Sequence, residues 1–165
     1  MTPTLALTID RANYADPRDA GDVVALLDAY ARDPMGGGAP LADGVKARLV
    51  DDLAANAQAF SLLARLDGEA VGLANCFMGY STFAGAPLIN IHDLAVLPGH
   101  RGAGIGKALL AAVEAEALKC GACKITLEVL SGNHLAKALY ASQGYGDYQL
   151  DPASGQALFW QKRLT

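Results

Sequence analysis

Apolar and polar positions along this chain change period several times, and each change marks an element. Thr4 to Ile9 reads as a first strand. Asp16-Pro17 starts a helix, with an acid at the N-cap and proline at the first helical position. Val23, Leu26, Leu27 and Tyr30 then recur at i, i+3, i+4 and i+7, one face of that helix. Gly36-Gly37-Gly38, between Pro34 and Pro40, ends it. A second helix runs from about Gly44 to Asn56, capped by Asp43, with Val45, Leu49 and Leu53 inward. Period two then takes over. Phe60, Leu62, Ala64 and Leu66 alternate on a strand, Asp67-Gly68 is a tight-turn signal, and Val71, Leu73, Asn75 and Phe77 continue the hairpin. Tyr80 to Pro87 reads as a loop, and Leu88 to Leu97 as a strand stopped by Pro98-Gly99.

In the second half, Ile105, Leu109 and Ala112 mark a helix over 104–119 that stops at Gly121. Ile125, Leu127 and Val129 mark a strand over 123–130. Asn133 opens a short helix through Ser142, stopped by Gly144. Tyr145 to Leu150 and Ala157 to Leu164 form a last hairpin around Asp151-Pro152-Ala153-Ser154-Gly155. The order is β-α-α-β-β-β-α-β-α-β-β, with no internal repeat or linker. It predicts an α/β fold: one mixed sheet flanked by helices, in a single domain over 1–165. The step from strand 88–97 through the helix to strand 123–130 is a right-handed βαβ unit, which makes those strands parallel.

Composition narrows the function. The chain has 165 residues, 52% of them apolar, and no apolar run approaches the roughly 18 residues of a membrane helix. Met1 to Asp10 lacks a basic patch followed by an apolar stretch, so a cytoplasmic location is expected. The net charge of -4 argues against a general nucleic-acid binder and leaves room for amine partners. Cys76, Cys120 and Cys123 read as reduced thiols. Cys120-Gly121-Ala122-Cys123 has redox-type spacing, but it stands at a helix C-terminus, where the dipole does not favour thiolate. No histidine pair or second such motif accompanies it, so no metal site is expected.

The chemistry concentrates in Arg101-Gly102-Ala103-Gly104-Ile105-Gly106-Lys107, between a strand and an alanine-rich helix. Alternating glycines there let backbone N–H groups crowd one point at the positive end of the helix dipole, a seat for phosphate oxygens. A Walker A loop would need glycine where Arg101 stands and Ser or Thr where Ala108 stands. A dinucleotide fingerprint would need glycine at Lys107. The pattern Arg/Gln-x-x-Gly-x-Gly/Ala is satisfied at every fixed position by Arg101, Gly104 and Gly106.

That loop resembles the acyl-CoA pyrophosphate loop of the GNAT N-acetyltransferase family. Ile91-His92-Asp93-Leu94-Ala95-Val96-Leu97-Pro98 is similar to the family's central strand. Asn133-x-x-Ala136-x-x-x-Tyr140-x-x-x-Gly144 is similar to its second signature helix. The likeness covers 60–150 well. It implies an acyl-CoA N-acyltransferase fold: a mostly antiparallel mixed sheet with a splayed parallel central pair of strands. It also implies acetyl-CoA as cofactor and direct attack of a small-molecule or peptide amine on the thioester. In such a site backbone groups of Leu94, Ala95 and Val96 would pair with pantetheine. Arg101, Gly102, Ala103, Gly104, Ile105, Gly106 and Lys107 would hold pyrophosphate, and Asn133 would touch the cofactor. Tyr140 would be the general acid toward the departing thiolate.

For the base, His92 replaces the first of two acids found in many relatives, and imidazoles titrate near about 6.5. Asp93 could orient it or take the proton itself. Strand alternation sends these neighbours to opposite faces unless a bulge intervenes. The acceptor side is expected from the first two helices and the 79–87 loop, with Tyr30, Asp33, Met35, Asn75, Tyr80 and Phe83 as candidates. Asp33 could attract an ammonium, and the three glycines could flex over the acceptor. A homodimer is a family-based expectation. Two other readings of the same residues are an acyl-CoA-binding regulatory module without turnover, and an acetyltransferase acting on protein N-termini or lysines.

Overall fold

The side chain of Asp16 accepts hydrogen bonds from the Arg18 and Asp19 amides, and Pro17 occupies the first helical position. Helix α1 (Pro17–Arg32) therefore starts where its cap signal places it. The structure, a computed structural model, describes residues 6–164; Thr4 and Leu5 of the expected first strand lie outside them. Strand β1 is Leu7–Arg11. Helix α2 is Asp43–Ala55; Asp43 lies inside its first turn instead of capping it, 3.5 Å from the Lys46 ammonium, and Ala42 at the cap makes no side-chain bond.

Strands β2 (Ala59–Leu66) and β3 (Glu69–Ser81) form the expected hairpin. Asp67 and Gly68 both take left-handed φ, 50° and 84°, the pair of values that a two-residue turn matched to strand twist requires. The Asp67 carboxylate also accepts the Ala6 amide at 2.8 Å, tying the turn to the chain just before β1. Strand β4 is Ala86–Val96, and its ladder with β3 reaches Ser81 opposite Ala86. The loop expected over 80–87 thus shrinks to a turn at 82–85, with Tyr80 and Phe83 exposed beside it.

Five strands make one sheet in the order β1-β2-β3-β4-β5, antiparallel except for the parallel pair β4 and β5 (Ile125–Leu127). Leu63 and Leu73 face α1 and α2, packing with Val23, Leu26 and Leu53. The other face receives α3 (Ile105–Lys119). Gly72 marks that contact: a Cβ there would lie 3.1 Å from Leu109 Cδ1 and 3.2 Å from Ile105 Cγ2. Because helices cover both faces, Ser61 to Ala64 are all buried, and the alternation visible in β2 describes only half of its packing. The strand expected over 123–130 is confined to three residues, its ladder ending at Ile91 opposite Leu127.

The chain divides into two compact units, one ending at Leu127 and one beginning at Glu128. In the second, α4 (His134–Ser142) is capped by Asn133, whose side chain accepts the Ala136 amide at 3.2 Å, and Gly144 follows it with φ 87°. The hairpin expected from 145–150 and 157–164 is not formed as strands. Among the described residues the segment carries a backbone bond from Ala157 N to Tyr148 O at 3.4 Å, a side-chain bond from Gln156 Nε2 to Asp147 Oδ2 at 3.4 Å and a 3-10 turn at Pro152–Ser154. Its apolar residues Leu150, Leu158, Phe159 and Trp160 are exposed, and a two-stranded ribbon that buries no apolar face is marginal in water.

Gly72 sets how closely α3, and with it the glycine loop, sits on the sheet. Replacing Gly72 with Val is expected to destabilise the protein by about 1–3 kcal/mol through overpacking against Leu109 and Ile105. Urea unfolding of the two proteins checks this.

Candidate active site

Strand β4 carries a site at each end of its second half. Between Cys76 opposite Ile91 and Asn75 opposite Asp93, β4 holds one residue more than β3, and that residue is His92. The bulge cancels the alternation that would separate His92 from Asp93. The His92 ring lies 4.6 Å from the Phe77 ring, and Asp93 accepts from Asn75 Nδ2 at 3.1 Å. Phe77 packs with the α1–α2 core cluster, and Asn75 stands two residues before it on the same face of β3. Both candidate bases therefore share the α1 face. His92 is exposed and Asp93 largely covered. Burial pushes the Asp93 carboxyl above the usual carboxylate range, opposed by the Asn75 hydrogen bond and the nearby imidazole.

Past the bulge, Leu97 N donates to Val71 O at 2.9 Å across the ladder to β3. Alternation along the strand then turns the N–H and C=O groups of Leu94 and Val96 the other way, beyond the point where β5 stops pairing. Six residues past Val96, Gly102 has φ 78° and Gly104 has φ 81°, and Gly104 is the N-cap of α3. A Cβ on either would meet nothing within 4 Å, so glycine is required by backbone conformation while the space above the loop stays open. The turn's backbone bond runs from Ala108 N to Gly104 O, leaving the amides of Ile105, Gly106 and Lys107 among the outward-pointing N–H groups of a helix start.

The profile of the acetyltransferase (GNAT) family matches residues 23–145. The chain belongs to the GNAT family. An uncharacterised N-acetyltransferase of Bacillus subtilis is 31% identical over 137 residues, 79% of this chain and 86% of that protein. Another, from Archaeoglobus fulgidus, is 39% identical over 83 residues; the match spans 50% of this chain and 56% of that relative's length. Among solved structures, an aminoglycoside N-acetyltransferase in complex with CoA superposes with a TM-score of 0.75 at 19% identity, covering 99% of each chain. A ribosomal-protein-alanine N-acetyltransferase from Brucella melitensis gives 0.67 at 23% identity, covering 88% of this chain and 99% of that one. The GNAT family uses acetyl-CoA. The loop of this member fits the CoA pyrophosphate: convergent amides, a helix N-terminus, and room that side chains at Gly102 and Gly104 would enter.

Several expected side-chain roles are revised. Arg101 does not stand free for phosphate: its Nε donates to Val96 O at 3.0 Å and its guanidinium pairs with Asp33 at 2.9 Å. Asp33 is thus paired with the glycine loop. The Met35 amide and then Arg101 hold its carboxyl below the usual range. The three glycines are not a loose flap, because Gly36 N and Gly38 N both donate to Asp33 O, at 2.8 and 3.0 Å. Lys107 is an exposed residue of the helix start.

Tyr30, half-buried on α1, has its phenol raised by burial, then by the charges of Asp93 and Asp33, which places it by the bulge. Met35 is exposed. Asn75 is buried and hydrogen-bonded to Asp93, Tyr80 is exposed near the end of β3, and Phe83 is exposed in the β3–β4 turn. In the second unit Asn133 serves as the α4 cap, and Tyr140, on α4, has its ring 6.0 Å from that of Tyr145. Cys120 and Cys123 are free thiols, and no metal-binding cluster exists among the described residues. No helix among them is long and apolar enough to cross a membrane.

Sequence reasoning missed Tyr14 and Ser61. Tyr14 Oη lies 2.8 Å from Ser61 Oγ, which donates to Asn75 Oδ1 at 2.6 Å. The available signal was polar Ser61 and Asn75 in otherwise apolar strands, two residues that the hairpin register places opposite each other.

Two outcomes are expected. Gly104→Ala, forcing a side chain into φ 81°, should weaken CoA binding at least about tenfold and cost about 1–2 kcal/mol of stability, read by calorimetry and urea unfolding. The folded Asp93 carboxyl binds its proton more tightly than the unfolded one, so its contribution to stability is full below the unfolded pKa and declines as pH rises through the folded value. Asp93→Asn, which keeps the Asn75 hydrogen bond, should therefore melt above wild type at neutral pH, with the gap closing toward pH about 4. Scanning calorimetry across pH checks it.

Proposed function

We propose that this chain is an acetyl-CoA-dependent N-acetyltransferase, working as one domain over 1–165, that modifies a primary amine of a small molecule or peptide. The observation that carries the reading is that one strand, β4, leads from the His92-Asp93 bulge to the glycine loop. A proton acceptor on the α1 face and a phosphate seat at the strand exit are thereby set a fixed distance apart. The backbone amides of the Arg101–Lys107 loop would hold the pyrophosphate, and the stretch Leu94, Ala95 and Val96 would pair with the pantetheine through the outward groups of Leu94 and the Val96 amide, the Val96 carbonyl being taken by Arg101. Acetyl-CoA, when bound, supplies an activated thioester.

An amine is mostly protonated at neutral pH and must lose a proton before it reacts. His92, exposed on the bulge, takes that proton, and the Asp93 carboxylate beside it stabilises the resulting imidazolium. Tyr140 is proposed as proton donor to the departing thiolate, on the match of Asn133 to Gly144 with the family's signature helix. Tyr30, Met35, Tyr80 and Phe83 are proposed to contact the acceptor. A homodimer, by resemblance, and a cytoplasmic location, from the sparse cysteines, belong to the same proposal.

The test is titration calorimetry with acetyl-CoA, using ATP and NAD as controls, followed by thiol release with an amine panel. Selective binding near micromolar, about 8 kcal/mol, is expected. A folded sample that binds neither acetyl-CoA nor CoA overturns the reading. In the active enzyme His92→Gln should lower kcat about 10²–10⁴-fold. A rate that stays flat from about pH 5.5 to 8 under saturating, chemistry-limited conditions would remove His92 as the base.

A further inference from the structure

Ser61 and Asn75 are polar residues set opposite each other inside the sheet, 0% and 3% exposed. Apolar residues could fill these positions without the cost of satisfying hydrogen bonds in a dry core. Both are fully partnered, and their partners form a line. Tyr14, in the loop between β1 and α1, meets Ser61 Oγ at 2.8 Å; Ser61 Oγ donates to Asn75 Oδ1 at 2.6 Å; Asn75 Nδ2 donates to Asp93 Oδ2 at 3.1 Å. Ser61 has one proton and gives it to Asn75, so Tyr14 is the donor to Ser61. Every donor in the line thus points toward Asp93. The line crosses β2, β3 and β4 and begins at Tyr14, whose ring lines a surface depression of about 370 Å³.

The amide of Asn75 sets the polarity. Its NH2 end faces the carboxylate and its carbonyl end faces the serine. Neutral amide groups hold their protons, so the line does not carry a proton outward. It holds one acceptor, and each donor polarises the next. We propose that Tyr14, Ser61 and Asn75 are positioning residues that hold the Asp93 carboxylate ionised and oriented beside His92, so that the imidazole has a charged partner when it takes the amine proton. The consequence for catalysis rests on the acetyl-transfer reading; the effect on Asp93 does not. Other titratable groups near Asp93 are His92 on its own strand, Cys76 on β3 and Tyr30 on α1. The Cys76 thiol is pushed up to about 12 by burial and the Tyr30 phenol is raised likewise, so both stay neutral at working pH.

The experiment follows the Asp93 carboxyl by carbon NMR, its signal assigned by its loss in Asp93→Asn, alongside the pH profile of kcat. It compares wild type, Tyr14→Phe, Ser61→Ala and the double variant. Tyr14→Phe removes one hydroxyl from a half-buried loop residue and keeps the test open if Ser61→Ala does not fold. Tyr14→Phe should raise the Asp93 midpoint, lower kcat about three- to tenfold and move the acid limb upward, with both KM values unchanged. The double variant should be no worse than Ser61→Ala, because the two residues act in series. An unmoved Asp93 midpoint, or single effects that add, overturns the proposal. If the midpoint moves in a protein that acetylates no amine, the positioning line stands and the acetyl-transfer reading is what has failed.

Discussion

His92 has no partner across the β3–β4 ladder, and the rest of the site depends on that one extra residue. Without it, His92 and Asp93 would point to opposite faces of a sheet covered on both sides by helices, and one of them would sit against α3. With it, both face α1: one exposed beside Phe77, the other covered and hydrogen-bonded to Asn75. The same irregularity stands where β5 stops pairing, so the outward edge of Leu94 to Val96 lies beyond the ladder. A local register defect thus stands at two features: two titratable residues on one face and the end of the β4–β5 ladder.

The site also spends stability to be what it is. Asp93 sits where burial disfavours its charge, and a line of buried polar groups keeps it supplied with a hydrogen bond. The Asp33–Arg101 ion pair joins the end of α1 to the glycine loop. An ion pair so placed at the surface contributes little energy, about 0–1 kcal/mol. Its value is geometric: it links the segment that follows α1 to the loop that follows β4, 68 positions apart.

Much of this was legible in the chain. The Asp16-Pro17 cap, the Asp67-Gly68 turn, the glycine loop and the parallel βαβ step all rest on local rules, and local rules transfer directly to structure. Side-chain partners were not legible. Arg101 reads as a phosphate ligand and Asp33 as an ammonium ligand, and each is the other's partner, since residues far apart in sequence meet only through the fold. The alternation over 145–164 looks like a hairpin, yet alternation specifies a strand only where a surface exists to bury one of its faces.

The sequence by itself determined the elements as far as α4, their order, the left-handed glycines of the loop before α3 and the placing of His92 and Asp93 on β4, because each depends on neighbours a few residues away. The tertiary structure alone decided that His92 and Asp93 share a face, that Arg101 is bound to Asp33, and that Tyr14, Ser61 and Asn75 line up behind Asp93. Register and cross-strand contact arise from packing between distant segments, and no short stretch of the chain encodes them.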